Sequence, residues 1–434
     1  MSIENQITVA STNHLKVAIT KRTLLYYAVM GFPLAMLGIP VYLYLPQYYA
    51  DEFGLSLSII GLALLAARLF DVITDPLIGW LSDRLHSQFS RQKQVLAGLA
   101  ILLLSLYALF FPLIESLNFW YLFILSFITY QAWTIVQVPY QTMVAEISLE
   151  PLHKTQLTST REAMAILGVL FILIVPFALE LPTNQPEFYQ FFMVSVALSL
   201  TVGALLLFGI HWLKSSNKEV NNCNNPSSIV FTLKNLWLSS PQVFSVMPAY
   251  FLNNLANALP ATLFVFFVSD YLQLEQYTGL FLLIYFLSGL VALPFWILLS
   301  KKLTKEKTWQ LSMWLASLFF SLVFWLQPND VLFFALITVL TGLSLGIDLA
   351  IPASIQADIT QKIQHHTEVK GLVFGIWGML TKLALAIAVG VSLPALEFLK
   401  ENQIHFESGI LLLYAGIPIA LKIVAIFLVT RHQR

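Results

Sequence analysis

The chain has 434 residues, 58% hydrophobic and only 11% charged, and its 23 basic and 23 acidic side chains cancel to zero. A soluble domain carries roughly 25% charged residues, so this is the composition of a membrane protein. Zero net charge leaves no case for nucleic-acid binding, and the single cysteine, Cys223, excludes a disulfide framework.

Apolar runs of about 20 residues, long enough to cross a bilayer as helices, recur along the whole chain. Twelve are predicted, at 24–50, 56–82, 93–115, 119–147, 156–180, 188–214, 240–270, 276–300, 307–327, 330–359, 368–398 and 405–430. Residues 1–23 form a polar tail without the apolar core and small-residue cleavage site of a signal peptide. Six helices are expected in 24–214 and six in 240–430, joined by a polar linker at 215–239 and followed by a short tail at 431–434. With both termini placed in the cytoplasm, the tails and even-numbered connections hold eighteen lysines and arginines, and the opposite connections hold only Lys400. That asymmetry predicts a multi-pass protein of the cell membrane with both termini, the linker and Cys223 on the cytoplasmic side.

Helix two carries "RLFDVITDPLIGW", where Arg68, Asp71 and Asp75 stand at i, i+3 and i+7 and share one face. Each charge costs about 2.5–3.5 kcal/mol at mid-bilayer, unless that face lines a polar cavity and finds partners. An Arg68–Asp71 ion pair that merely positions helices is one reading. One arginine cannot neutralise two aspartates, however, and an unbalanced acidic pair suits a bound cation or a titrating proton. Sodium wants several oxygen ligands, and Thr74 beside Asp75, with Thr134 on helix four, would add to the set. At the end of helix two, "GWLSDR" places Gly79 for close helix approach, and Asp83 and Arg84 to pair across neighbouring helix ends as a gate.

Arg161 opens helix five, either as a buried functional charge or as an interfacial one. Helix ten contains Asp348 in "GLSLGIDLAIP". Helix eleven contains Lys382 in "FGIWGMLTKLALAIAV", too far from either helix end for snorkelling. Asp348 is either a separate group or the structural partner of Lys382.

The two halves repeat. "GLALLAARLFDVITDPLIGWLSDR" from Gly61 and "GLFLLIYFLSGLVALPFWILLSKK" from Gly279 align without a gap, superposing Pro76 on Pro294 and Ser82 on Ser300. "VPYQTMVAEIS" resembles "IPASIQADIT" with a slip. Six is even, so the repeat is parallel, with its axis along the membrane normal. Arg68, Asp71 and Asp75 fall opposite Phe286, Gly289 and Leu293, so the scaffold itself does not need those charges.

This organisation resembles the major facilitator superfamily, and "GWLSDR" approximates that superfamily's G-x-x-x-D-R/K motif after helix two. The expected fold is thus an all-α membrane protein of twelve transmembrane helices in two six-helix bundles around a central cavity. More narrowly, "ARLFDVITDPLIGWLSDR" resembles the helix-two signature of the glycoside–pentoside–hexuronide cation symporters, and the lysine of "GLVFGIWGMLTKLALA" resembles that family's helix-eleven lysine. The resemblance covers the whole chain in topology, but its specific motifs lie only on helices two, four, five and eleven. It implies Asp71 and Asp75 as the coupling-cation site, Thr74 and Thr134 as supporting oxygens, and Arg161 and Lys382 as the family's helix-five arginine and helix-eleven lysine. The departures fall on the sugar side. Ala35, Gln137 and Gln141 stand where a member of that family has two sugar-contacting acids and a stacking tryptophan. Asp348 has no obvious counterpart, and animal lysolipid symporters share the helix-two acids and the helix-eleven lysine.

The expected function is secondary active transport: sodium- or proton-coupled symport of a small organic solute, a sugar or glycoside, by alternating access. Gln137, Gln141, Trp133 and Trp377 would offer hydrogen bonds and a ring face, with Arg161 and Lys382 also reaching the solute. Arg68, Asp83, Arg84 and Asp348 would serve coupling or gating. The alternative solute is an amphipathic or anionic metabolite such as a lysolipid or a metal chelate; a non-transporting receptor is the reading from another class. No nucleophile–base set or cofactor loop is seen, so neither an enzyme nor a cofactor is expected. The partners are the solute and the bilayer, around a functional monomer.

Overall fold

The computed structural model describes residues 19–86, 89–112, 117–148, 150–181, 186–210, 228–363, 369–401 and 406–432. The expectation for Cys223 lies outside the described residues. Helices α1 (Lys21–Tyr42, continued by Leu45–Phe53), α2 (Leu57–His86), α3 (Arg91–Phe110), α4 (Phe119–Ile147), α5 (Pro151–Ala178) and α6 (Pro186–Phe208) make the first half. Helices α7 (Gln242–Tyr271), α8 (Glu275–Lys302), α9 (Lys305–Trp325), α10 (Val331–Gln361), α11 (Lys370–Lys400) and α12 (Phe406–Arg431) make the second. A short helix, Ile229–Ser239, precedes α7.

Eleven of these helices are long and apolar enough to cross a membrane. The twelfth, α2, has 30 residues, about 45 Å of helix, and carries Arg68, Asp71 and Asp75 in its middle. Several helices tolerate an internal proline, among them Pro76 in α2, Pro139 in α4, Pro352 in α10 and Pro394 in α11. Tyr42 lies in a π-turn, Pro40–Tyr44, where α1 accommodates an extra residue.

Most buried apolar side chains of α1–α6 form one core, joined by Ala357 and Phe374 from the second half, while Ile166 and Leu170 of α5 cluster with Leu293 of α8. Those of α7–α12 form two further clusters. Outward-facing Phe177, Leu332 and Leu104, all more than 70% exposed, belong to the belt that meets lipid. Lipid gives apolar helices no hydrophobic reason to associate, so close contact depends on small residues. A Cβ added to Gly79 of α2 would lie 2.2 Å from the Gly371 carbonyl oxygen of α11, and one on Gly375 would lie 2.4 Å from the Asp75 oxygen. The two halves thus meet backbone to backbone along the α2–α11 crossing, and this contact sets the site described next.

Candidate transport site

Where α2 meets α11, the Lys382 ammonium lies between two carboxylates. Its Nζ is 2.6 Å from Asp71 Oδ2 and 2.7 Å from Asp75 Oδ1, and it donates to Thr134 Oγ1 at 2.8 Å. Thr134 on α4 stands 3.1 Å from Asp71 Oδ1 and 3.0 Å from Asp75 Oδ1, with one hydroxyl proton to share between them. Asp71, Asp75 and Thr134 are no more than 2% exposed, whereas the Lys382 side chain is 22% exposed. The way into the cluster therefore passes Lys382. Two aspartates against one ammonium leave a formal charge of −1, and the pairing joins the first half to the second. Gly378 leaves room beside Asp75 Oδ2, where a Cβ would lie 3.0 Å away.

The surrounding candidates are placed differently from expectation. Arg68 does not pair with Asp71; its guanidinium lies 4.1 Å from the centre of the Tyr42 ring, which in turn stacks on Trp133 at 5.7 Å. A cation–π contact has no sequence period, so nothing local announced it. Thr74 does not join the oxygen cluster either. Its hydroxyl donates back along its own helix to the carbonyls of Phe70 and Asp71, a local bond that threonine makes readily in helices. Gln137 and Gln141 are half-buried on the same stripe of α4 as Trp133, spaced i, i+4, i+8. The Trp377 ring is 2% exposed and tilted against Tyr250 at 4.2 Å, so it presents no open face. Arg161 is buried and pairs with its neighbour Glu162 at 2.5 Å. Three of these groups keep a buried donor with no hydrogen-bond partner in the protein: Trp133 Nε1, Trp377 Nε1 and Arg161 Nη1.

The halves also lock at the face where α1 begins and α12 ends, here the terminal face. Asp83, at the foot of α2, accepts from the free backbone N–H groups of Gly371 and Leu372 at 2.7 and 2.8 Å, capping α11 across the interface. It also pairs with Arg91 at 2.6 Å, and Arg91 reaches Glu146 at 3.2 Å. Arg84 lies over the ring of Trp80 on its own helix at 3.9 Å. Lys154 of α5 pairs with Asp358 of α10 at 3.0 Å, and Lys305 of α9 holds the same carboxylate at 2.5 Å. Thr155 and Ser354 add a bond at 3.1 Å. Lys154 also donates to the Ala357 carbonyl at 3.3 Å and to Gln361 Oε1, so α5 and α10 are tied at several points.

Asp348 is not the partner of Lys382. It pairs with Lys422 of α12 at 2.7 Å. Lys422 is a solitary charge in "IALKIVAIFLV", the same signal that marks Lys382, and the sequence reading passed over it. Which of two buried lysines meets a given aspartate depends on helix packing, and local sequence does not encode it.

Two six-helix bundles locked at one face, with a buried charged cluster between them, define a membrane transporter of the major facilitator class. The chain belongs to the MFS/sugar transport protein family, whose model matches residues 26–433. It is accordingly a transport protein and not an enzyme. It is 26% identical to the Bacillus subtilis (strain 168) "Uncharacterized symporter YnaJ" over 423 residues, covering 93% of this chain and 88% of that one. It is 21% identical over 455 residues to "Sodium-dependent lysophosphatidylcholine symporter 1-A" of Danio rerio, covering 94% and 82%. Among solved structures it resembles a bacterial homologue of the iron transporter ferroportin in an outward-facing state, with a TM-score of 0.68 at 15% identity over 95% of this chain and 98% of the other. That last likeness is one of fold.

Proposed function

We propose that the chain is a cation-coupled symporter of a sugar or glycoside. The carrying observation is the Lys382 ammonium held jointly by Asp71 and Asp75 across the two halves. An entering sodium ion or proton competes with that ammonium for the carboxylates. Four carboxylate oxygens and the Thr134 hydroxyl are enough to coordinate sodium, whereas a proton needs only one of them. Either cation detaches α11 from α2 at mid-depth and frees Lys382 toward the solute. Coupling follows because the cation then has different affinity in states with and without the Lys382 pair, and differential affinity is the only way a ligand shifts such an equilibrium.

The solute class rests on the unpartnered donors. A buried donor left unmatched costs about 1–3 kcal/mol, and a solute rich in acceptor oxygens would remove that cost at Trp133 and Arg161. Gln137 and Gln141 extend the polar wall. An anionic solute is less well served at Arg161, because Glu162 already engages that guanidinium. The distribution of lysines and arginines puts the terminal face in the cytoplasm of a cell-membrane protein. The Asp83 cap and the Lys154–Asp358 pair are then the closed cytoplasmic gate. One chain supplies every residue of the cluster, which suits a functional monomer.

The test is uptake and counterflow in proteoliposomes, with labelled sugars, glycosides, lysolipids and metal chelates, under an imposed sodium or proton gradient. Gradient-driven accumulation of a sugar or glycoside is the expected result. Accumulation of a lysolipid or chelate alone, or of nothing under either gradient, overturns the reading.

A further inference from the structure

The second half contains a charged cluster that the transport cycle above does not use. Lys422 Nζ lies 2.7 Å from Asp348 Oδ2 and donates to Asn253 Oδ1 at 2.9 Å. Ser312 donates to the other carboxylate oxygen, Asp348 Oδ1, at 2.9 Å, and Asn257 approaches Oδ2 at 3.4 Å. Asp348, Lys422, Asn253 and Ser312 are all no more than 7% exposed. The oxygens come from α7, α9 and α10, while α12 supplies only the ammonium. Counting back from the matched prolines, Asp348 stands four residues before Pro352, and Ile135, next to Thr134, stands four before Pro139. Within the one-residue slip of the repeat, Asp348 thus occupies in the second half the level that Thr134 occupies in the first.

We infer that the Asp348–Asn253–Ser312 cluster is a second monovalent-cation cage, which the chain fills permanently with its own Lys422 ammonium. A primary ammonium and a small monovalent cation want the same surroundings: a carboxylate and one or more neutral oxygens at hydrogen-bonding or coordination distance. All the partners lie in one half, so rocking of the halves does not separate them. The pair is also neutral, one carboxylate against one ammonium. The second half therefore undergoes no charge change during the cycle, and a mobile cation has only the Asp71–Asp75 site to enter, a consequence that rests on the symport reading; the cage itself stands on its own geometry.

The experiment removes the tethered ammonium and offers a free one. Purified wild type, Lys422→Ala and Asp348→Asn/Lys422→Ala are heated with increasing methylammonium chloride, using choline chloride, too large for the cage, as the ionic-strength control. Lys422→Ala leaves a buried carboxylate unpaired and melts several degrees lower than wild type. Methylammonium restores most of that shift saturably in Lys422→Ala and changes neither wild type nor the double variant. Absence of rescue, or equal rescue in the double variant, overturns the cage. If Lys422→Ala is recovered unfolded, the readout becomes the yield of monodisperse protein purified with methylammonium against choline, and equal yields overturn it likewise.

Discussion

The protein buries two lysine–aspartate clusters at mid-membrane, and they are built in opposite ways. Lys382 belongs to one half and its carboxylates to the other, two acids share one ammonium, and the lysine is 22% exposed. Lys422 and Asp348 belong to the same half, balance one to one, and are closed in by Asn253 and Ser312. A charge pair that spans a moving interface, with a carboxylate to spare and a path to its lysine, can exchange its cation. One sealed inside a single bundle cannot. Similar residue chemistry thus yields a working site or a fixed one according to where the helices place it.

The comparison breaks most sharply at the carboxylates. Asp71→Asn or Asp75→Asn leaves the Lys382 cluster without its spare negative charge, and gradient-driven accumulation is expected to fall by about 100-fold or more while membrane insertion is unchanged. Uptake under an imposed gradient, with surface expression as control, measures this; normal concentrative uptake in both variants refutes it. The two lysines should next part company in stability. Lys422→Met strands a buried carboxylate and is expected to cost about 3–5 kcal/mol, most of it recovered in Asp348→Asn/Lys422→Met. Lys382→Met strands two carboxylates that are at least as buried, but the coupling cation can take the ammonium's place there, so added sodium or acid pH should restore its stability. Thermal unfolding in detergent with and without them decides, and an equal response of Lys382→Met and Lys422→Met removes the distinction.

The interface that Lys382 crosses can be loosened without touching a charge. Gly79→Ala puts a methyl where only 2.2 Å separates it from the Gly371 oxygen, so α2 and α11 must part. The population open at the terminal face should rise about tenfold, read as alkylation of Ala357→Cys in a Cys223→Ser background. Lys154→Ala is the milder form. Asp358 keeps Lys305, the Lys154 contacts with Asp358, the Ala357 carbonyl and Gln361 of the other half are lost, and the same alkylation should rise a few-fold. If Lys154→Ala equals or exceeds Gly79→Ala, the gate is held by its charges more than by the helix crossing.

How much of this was legible in the sequence depended on what local chemistry can announce. The twelve spans follow from the length and polarity of apolar runs. Asp71, Asp75 and Lys382 stood out because a charge in such a run is expensive and therefore rare. Thr134 was a candidate as a further oxygen near the acids and by resemblance, and its hydroxyl lies within hydrogen-bonding distance of both. Pairing was the part that did not transfer. Sequence left open whether Asp348 meets Lys382 and whether Arg68 meets Asp71; the structure gives Asp348 to Lys422 and Arg68 to the Tyr42 ring, because partner choice is decided by helix packing. Thr74 lies apart from the cluster for a local reason: its hydroxyl donates to two carbonyls of its own helix. Trp377 looked available until Tyr250 was seen to cover it.

The central claim is that Lys382 and the coupling cation compete for the same two carboxylates. Equilibrium binding of sodium, and proton release or uptake, measured on purified wild type and Lys382→Met without solute, tests it most directly. With the competing ammonium gone and the carboxylates kept, Lys382→Met should bind the coupling cation about tenfold more tightly, yet fail to accumulate solute against a gradient. Cation affinity equal to or weaker than wild type in a folded Lys382→Met protein would contradict the account.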